Sequence, residues 1–343
     1  MKALVYFGAR DLRYVDVDTP RPKKGEVLVK PRAVSICGSD LSGFKGTSKF
    51  RVPPLIMGHE FSGEIAELGE GVKNLSIGQK VGVVTNLFCG KCPDCKRNLQ
   101  NICDNRYIIG TTMMAGSYNG AMADFVPVPA EKIVPLPEHV SFAEAALAEP
   151  LSISLRAVKH AGNIKGKTTA VFGAGPIGLL AIKCLKMFGA KEIIAIDIIE
   201  KRLDMAKKCG ATAVINSNDD VLKFTRDLTC GEGLDFVLDA VGIEATINKG
   251  IEIVRNGGNI IWIGLSAKQI NMEYFTSVCK EINIKSSYMY TTEMNEALDL
   301  ISSGKIIVKD IITNSYPMSK GPEIFAKLAG NQAEDVKVIL TND

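Results

Sequence analysis

Two hydrophobic rhythms divide the chain. Residues 1 to about 150 carry short Val- and Ile-rich runs broken by Gly and Pro, such as "GEVLVKPRAV" and "GQKVGVVT". Brief apolar runs between turn formers predict an antiparallel β domain with long loops. The texture changes near Leu151. From Lys167 onward, six strand-like runs ("TTAVFG", "EIIAID", "TAVIN", "LDFVLDA", "GNIIWIG", "INIKSSY") are separated mostly by helical stretches such as "IGLLAIKCLKMFG" and "KRLDMAKKCG". Strand–helix alternation predicts a parallel sheet covered on both faces. The last 50 or so residues lose this pattern and are assigned back to the first domain. The expected boundaries are 1–150 with 291–343 for the β-rich domain and 151–290 for the doubly wound α/β domain.

Composition narrows the class of protein. The 343 residues are 46% hydrophobic and 23% charged, with a net charge of +3. No basic run interleaved with aromatics is present, so nucleic acid is not an expected partner. No apolar stretch approaches the roughly 20 residues needed to cross a bilayer, and the N-terminus lacks a signal-peptide core, so the expected location is the cytoplasm. Disulfides are rare there, and nine cysteines is an odd number.

Four of those cysteines, Cys89, Cys92, Cys95 and Cys103, lie within "NLFCGKCPDCKRNLQNICDN" at spacing C-x2-C-x2-C-x7-C. Close thiols in a reducing compartment suit tetrahedral zinc, and four thiolates leave no open position. This cluster is expected to fold a loop and perform no chemistry. The alternatives are free thiols or an iron–sulfur site, whose usual spacings differ.

The chemistry is expected elsewhere. "SICGSD" carries Cys37 and Ser39, "IMGHEFSG" carries His59 and Glu60, and "ALAEPLS" carries Glu149. A thiolate, an imidazole and a carboxylate make an open zinc site with room for water or substrate. Zinc with ionised Cys37 and Glu60 is formally neutral, and adding Glu149 would make the site negative. The two carboxylates are therefore expected to compete, one bound directly and one through water. Neighbouring strand residues point to opposite faces, so His59 and Glu60 meet at one metal only if the backbone bends, which Gly58 permits. His139 and His160 read as ordinary helix-edge or loop residues.

"VFGAGPIG" places G-x-G-x-x-G at Gly173, Gly175 and Gly178, after the strand "TTAVF" and at the head of a helix. Asp197 follows Gly178 by 19 residues, at the end of "EIIAID". That context suits a dinucleotide: a tight turn, close approach of backbone to pyrophosphate, and an acid for the ribose hydroxyls. Asp197 would repel a 2′-phosphate, which favours NAD over NADP, although Lys201 and Arg202 lie close by. Arg202 reads either as a stacking partner for adenine or as a solvated helix charge.

With these motifs in this order, the chain resembles the zinc-containing medium-chain dehydrogenase/reductase (alcohol dehydrogenase) family over essentially its whole length. The likeness is greatest to its polyol-dehydrogenase branch, which includes sorbitol, galactitol-1-phosphate and threonine dehydrogenases. "CGSD", "GHE", the four-cysteine loop, "AEP" and "GAGPIG" carry it. The resemblance implies a GroES-like β-rich catalytic domain, a Rossmann domain and a cleft between them. It implies catalytic zinc on Cys37, His59 and a glutamate, with Glu60 a ligand or near-ligand and Glu149 a ligand or water holder. It implies Ser39 as the proton-relay hydroxyl. The expected cofactor contacts, from the glycine turn and its context, are Gly173, Gly175, Pro176, Ile177, Gly178, Asp197 and Arg202. It also implies a homodimer or homotetramer acting on a small polyol or sugar derivative; an L-threonine-like amino alcohol or a simple diol is the alternative substrate. Two departures stand out. Ser42 occupies the place of a relay histidine, so the proton is expected to leave through water and the cofactor ribose. Met289 stands where sorbitol-type enzymes carry an arginine, which counts against sorbitol itself. Lys49 and Arg51 are read as a solvated loop or as contacts for a substrate phosphate.

Overall fold

The computed structural model describes residues 1–265, 268–330 and 335–342. The chain forms two compact units, Met1–Glu149 with Met294–Asp343, and Pro150–Glu293.

The first unit opens with β1 (Lys2–Gly8). Its central strand is β2 (Glu26–Ser35), with its inward residues Val27, Val29 and Val34 fully buried. The short helix α1 (Gly38–Phe44) follows directly. β3 (Glu60–Leu68) runs antiparallel to β2 in a register that sets Glu60 opposite Ser35. β4 (Lys80–Val83), β5 (Val126–Pro129) and β6 (Ile133–Pro135) extend the same sheet. The helix α2 (Ala148–Lys159) spans the unit boundary, with Glu149 in its first turn.

The second unit alternates strand and helix: β7 (Thr168–Phe172), α3 (Pro176–Met187), β8 (Glu192–Asp197), α4 (Glu200–Cys209), β9 (Ala213–Asn216), β10 (Leu234–Asp239), β11 (Val254–Trp262) and β12 (Asn283–Ser286). All six strands are parallel in the order β9-β8-β7-β10-β11-β12. The six strands read from the hydrophobic pattern are the six that form. The order reverses at β7, the switch point at whose carboxyl end ligands bind in open α/β sheets. Phe172, Ile194, Val237 and Ile260 lie in its core.

The chain then returns to the first unit with β13 (Ile312–Pro317) and β14 (Lys337–Thr341). β14 pairs with β2 on the side away from β3, Ile339 facing Ser35, and β13 lies parallel beside it. Three strands from distant parts of the sequence thus meet around Ser35. Among the described residues, no helix is long and apolar enough to cross a membrane.

Candidate metal and dinucleotide sites

Among the described residues, two groups of side chains place their metal-binding atoms within 4.8 Å of one another: Cys37, His59 and Glu60, and Cys89, Cys92, Cys95 and Cys103.

In the four-cysteine group, the Cys103 sulfur lies 3.6 Å from that of Cys89 and 3.7 Å from that of Cys92. These separations are far too long for a disulfide. They match the edge of a tetrahedron with metal–sulfur bonds of ~2.3 Å, which is about 3.8 Å. The local chain is built for this. Cys92 caps a one-turn helix, Pro93–Lys96, accepting the Cys95 N–H, and Asn98 adopts positive φ to turn the chain onward. Lys132 lies close by, its ammonium 3.8 Å from the centre of the Phe88 ring.

The second group is assembled by the converging strands. Cys37 follows β2 and caps α1; its sulfur accepts the Ser39 N–H, while Asp40 returns a bond to the Cys37 N–H. His59 stands one residue before β3, after Gly58 at φ +98°, so it escapes the strand alternation that begins at Glu60. The bend expected at Gly58 is present. The side chain of His59 is nearly buried, and its Nδ1 lies 3.5 Å from Asp40 and 3.4 Å from Arg51. That leaves Nε2 to face a metal, with a carboxylate behind the ring fixing its orientation. Burial works against charge on His59, but Asp40 and Cys37 outweigh it and hold its pKa well above the usual value. Asp40 is wholly buried too; burial raises its pKa, yet His59 and Arg51 together drive it far below the carboxylate range.

The two glutamates differ sharply. Glu60 Oε2 is 2.5 Å from the Lys337 ammonium, and both side chains are only 2% exposed. Glu149 is 1% exposed, and among the described residues neither of its carboxylate oxygens has a hydrogen-bond partner. Burial pushes its pKa up, to about 8, with Glu60 and Asp40 adding to the rise and His59 and Lys337 opposing it. A buried carboxylate with no partner is expensive unless a cation meets it. The charge count expected from sequence needs correction here, because Lys337 already answers Glu60. With His59 neutral as a metal ligand and Cys37, Asp40, Glu60 and Glu149 all ionised, the set would carry two negative charges beyond those answered by Arg51 and Lys337, which one dication would neutralise. The donor set therefore fits zinc.

Arg51 corrects a second expectation. It is neither solvated nor turned outward to a phosphate: its side chain is 2% exposed and ion-paired to Asp40 at 2.8 Å. Lys49 is exposed beside the Phe50 ring. Ser39 is exposed on the first turn of α1, and the hydroxyl of Ser42 is bonded to the Gly38 carbonyl within that helix. Met289 adopts positive φ in the turn after β12. Among the residues around this site, sequence reasoning missed Asp40, Arg51 and Lys337. Asp40 was visible inside "CGSD", where its spacing from Cys37 is that of a capping box. Nothing local marked Lys337.

The dinucleotide turn lies in the second unit. Gly173 has φ +89°, and a Cβ on Gly178 would sit 1.7 Å from the Gly173 carbonyl oxygen. A Cβ on Gly175 would meet open space, and Gly175 caps α3 without a side-chain hydrogen bond. Pro176 occupies the first helical turn, where its missing N–H does no harm. The free N–H groups of a glycine-capped helix are a cradle for pyrophosphate, so the residues fit a dinucleotide. Asp197 Oδ2 accepts the Ala174 N–H at 2.7 Å, and Oδ1 accepts the Ile199 N–H at 3.0 Å. Arg202 Nη1 is 3.9 Å from Asp197. Among the described residues, neither metal-ready group includes His139 or His160.

The family model "Alcohol dehydrogenase GroES-like domain" matches residues 23–138, and "Zinc-binding dehydrogenase" matches 176–303. L-threonine 3-dehydrogenase of Thermococcus kodakarensis is 36% identical over 92% of this chain and 90% of its own length. D-xylulose reductase A of Aspergillus oryzae is 32% identical over 94% of this chain and 92% of its own. The crystal structure of galactitol-1-phosphate dehydrogenase from Escherichia coli superposes with a TM-score of 0.92 at 27% identity, covering 100% of each chain. The two family models in tandem, and relatives above 30% identity over nine-tenths of the length, establish that the chain belongs to the zinc-containing medium-chain alcohol dehydrogenase family.

Proposed function

We propose that the chain is an NAD-dependent zinc dehydrogenase that interconverts a secondary alcohol of a polyol or sugar derivative with the corresponding ketone. The observation that carries this reading is the cluster of Cys37, His59 and Glu60, together with the buried Glu149 carboxylate, neither of whose oxygens has a hydrogen-bond partner among the described residues. In it, Cys37, His59 and Glu149 bind catalytic zinc, and Glu60, answered by Lys337, stands beside them as the carboxylate that exchanges with water. Bound zinc supplies Lewis acidity that eases deprotonation of a substrate hydroxyl, and bound NAD supplies the hydride acceptor. The protein does the rest. Asp40 orients His59, and Ser39 takes the substrate's proton. The Gly173–Gly178 turn and the head of α3 hold the pyrophosphate, and Asp197 disfavours a 2′-phosphate. Cys89, Cys92, Cys95 and Cys103 hold a second, structural zinc. This reading includes a cytoplasmic homo-oligomer, whose size sedimentation measures.

The test is NADH formation from a panel of polyols, polyol phosphates, diols and threonine, with zinc-replete and chelated protein. Chelator-sensitive turnover of a polyol or its phosphate is expected. Threonine as the one good substrate would favour the amino-alcohol reading, which the likeness to a threonine dehydrogenase supports. Turnover that survives complete zinc removal would sink the mechanism.

A further inference from the structure

Arg51 makes more contacts near the metal donors than a simple counter-ion needs. Its Nε and Nη2 donate to Asp40 Oδ1 at 3.2 and 2.8 Å, and Nη1 donates to the Phe50 carbonyl at 3.0 Å. Nη2 also donates to Ser39 Oγ at 3.0 Å. The two hydrogens of Nη2 are then used, so His59 Nδ1, 3.4 Å away, faces this group as an N–H directed at Asp40. Space for this arrangement is built into α1: a Cβ on Gly43 would lie 2.4 Å from Arg51 Cγ. One planar group therefore touches the exposed hydroxyl, the buried carboxylate and the edge of the imidazole.

We propose that Arg51 is a positioning residue that orients the Ser39 hydroxyl as a one-in, one-out proton carrier and ties that orientation to His59 through Asp40. The inference rests on the dehydrogenase reading above. A hydroxyl has one proton and two lone pairs, and a guanidinium can only donate. Arg51 fills one lone pair of Ser39 and cannot accept the proton itself. The other lone pair accepts the proton of the substrate hydroxyl, while Ser39's own O–H bond breaks and its proton passes outward to water or a ribose hydroxyl. Ser39 ends neutral, as it began. A lysine could answer Asp40, but a single ammonium lacks the fork that reaches both partners.

A double-mutant cycle of Arg51→Lys and Ser39→Ala in the zinc-loaded full chain tests this, reading kcat, KM, zinc per chain and the solvent deuterium isotope effect. Each single variant is expected to lower kcat on the order of 10²-fold. KM and zinc content should hold, and the isotope effect on kcat should change in R51K. The double variant should be no slower than the worse single one, because the residues act as a unit. Multiplying losses, an unchanged isotope effect, or a fully active R51K would overturn the proposal. If R51K does not fold, Arg51→Ala with added guanidinium replaces it. Recovery of kcat with Ser39 present, and none in the S39A background, supports the proposal; recovery in both, or in neither, overturns it. A wild type silent on every substrate defeats the dehydrogenase reading and this proposal with it. An active wild type with multiplying losses defeats this proposal alone.

Discussion

At the scale of single residues, buried charge is the organising fact. Lys337 and Glu60 are both sealed from water, so removing one partner strands the other. Lys337→Met should destabilise the first unit by about 3–5 kcal/mol, read as a lower urea midpoint, and Glu60→Gln in the same chain should recover most of the loss. A K337M protein as stable as wild type would show that Glu60 finds another partner. His160 gives a pH signature. Burial, then the charges of Lys285 and Arg156, lower its pKa from 6.5 to about 4. Below pH 6.5 the unfolded chain takes up a proton that the folded chain refuses until about pH 4, so stability falls as pH drops through that window. His160→Gln should flatten this slope between pH 7 and 4. Urea midpoints of the two proteins that fall in parallel would remove His160 from the account.

Within the elements, short motifs carry their own geometry, which is why so much of both sites was legible. The strand–turn–helix β7–α3 needs glycine at 173 and 178 for steric reasons that any sequence reader can state. The same holds for Asp197 at the end of β8, where its carboxylate ties down the Ala174 and Ile199 amides. Asp197→Asn keeps an acceptor oxygen and removes the charge. It should raise the ratio of NADP to NAD efficiency about tenfold, a change of ~1.4 kcal/mol; an unchanged ratio would place the discrimination elsewhere. The cysteine lobe is equally local, its four sulfurs drawn from fifteen residues. Cys95→Ser should release one zinc per chain and lower Tm by about 2–4 °C for each kcal/mol lost. Metal analysis that still found both zincs would contradict the assignment.

For the whole molecule, chain connectivity couples the catalytic unit to its last strand. β14 pairs with β2 and β13 and delivers Lys337 to Glu60. A chain ended before Lys337 should lose the fold of the first unit, while Pro150–Glu293, continuous in sequence and with its own core, should stay protected. Hydrogen exchange distinguishes the two units, and full protection of the first unit in the truncated chain would refute the argument.

The sequence by itself determined the features whose cause is local. These are the six strands of the parallel sheet, the glycine turn, the metal-ready cysteine spacing, and the pairing of Cys37 with His59 as candidate ligands. All but the last follow from steric or coordination rules acting within a few residues; Cys37 and His59, 22 residues apart, were joined by the chemistry of an open zinc site and by family resemblance. Tertiary structure alone decided the electrostatics. Arg51 reads as a loop cation until the fold buries it against Asp40, and the charge of Glu60 is uncompensated until a strand 277 residues later brings Lys337 beside it. Desolvation and Coulomb energy depend on distance through space, and separation along the chain carries no record of it. The same dependence leaves Glu149 buried, with neither carboxylate oxygen hydrogen-bonded among the described residues.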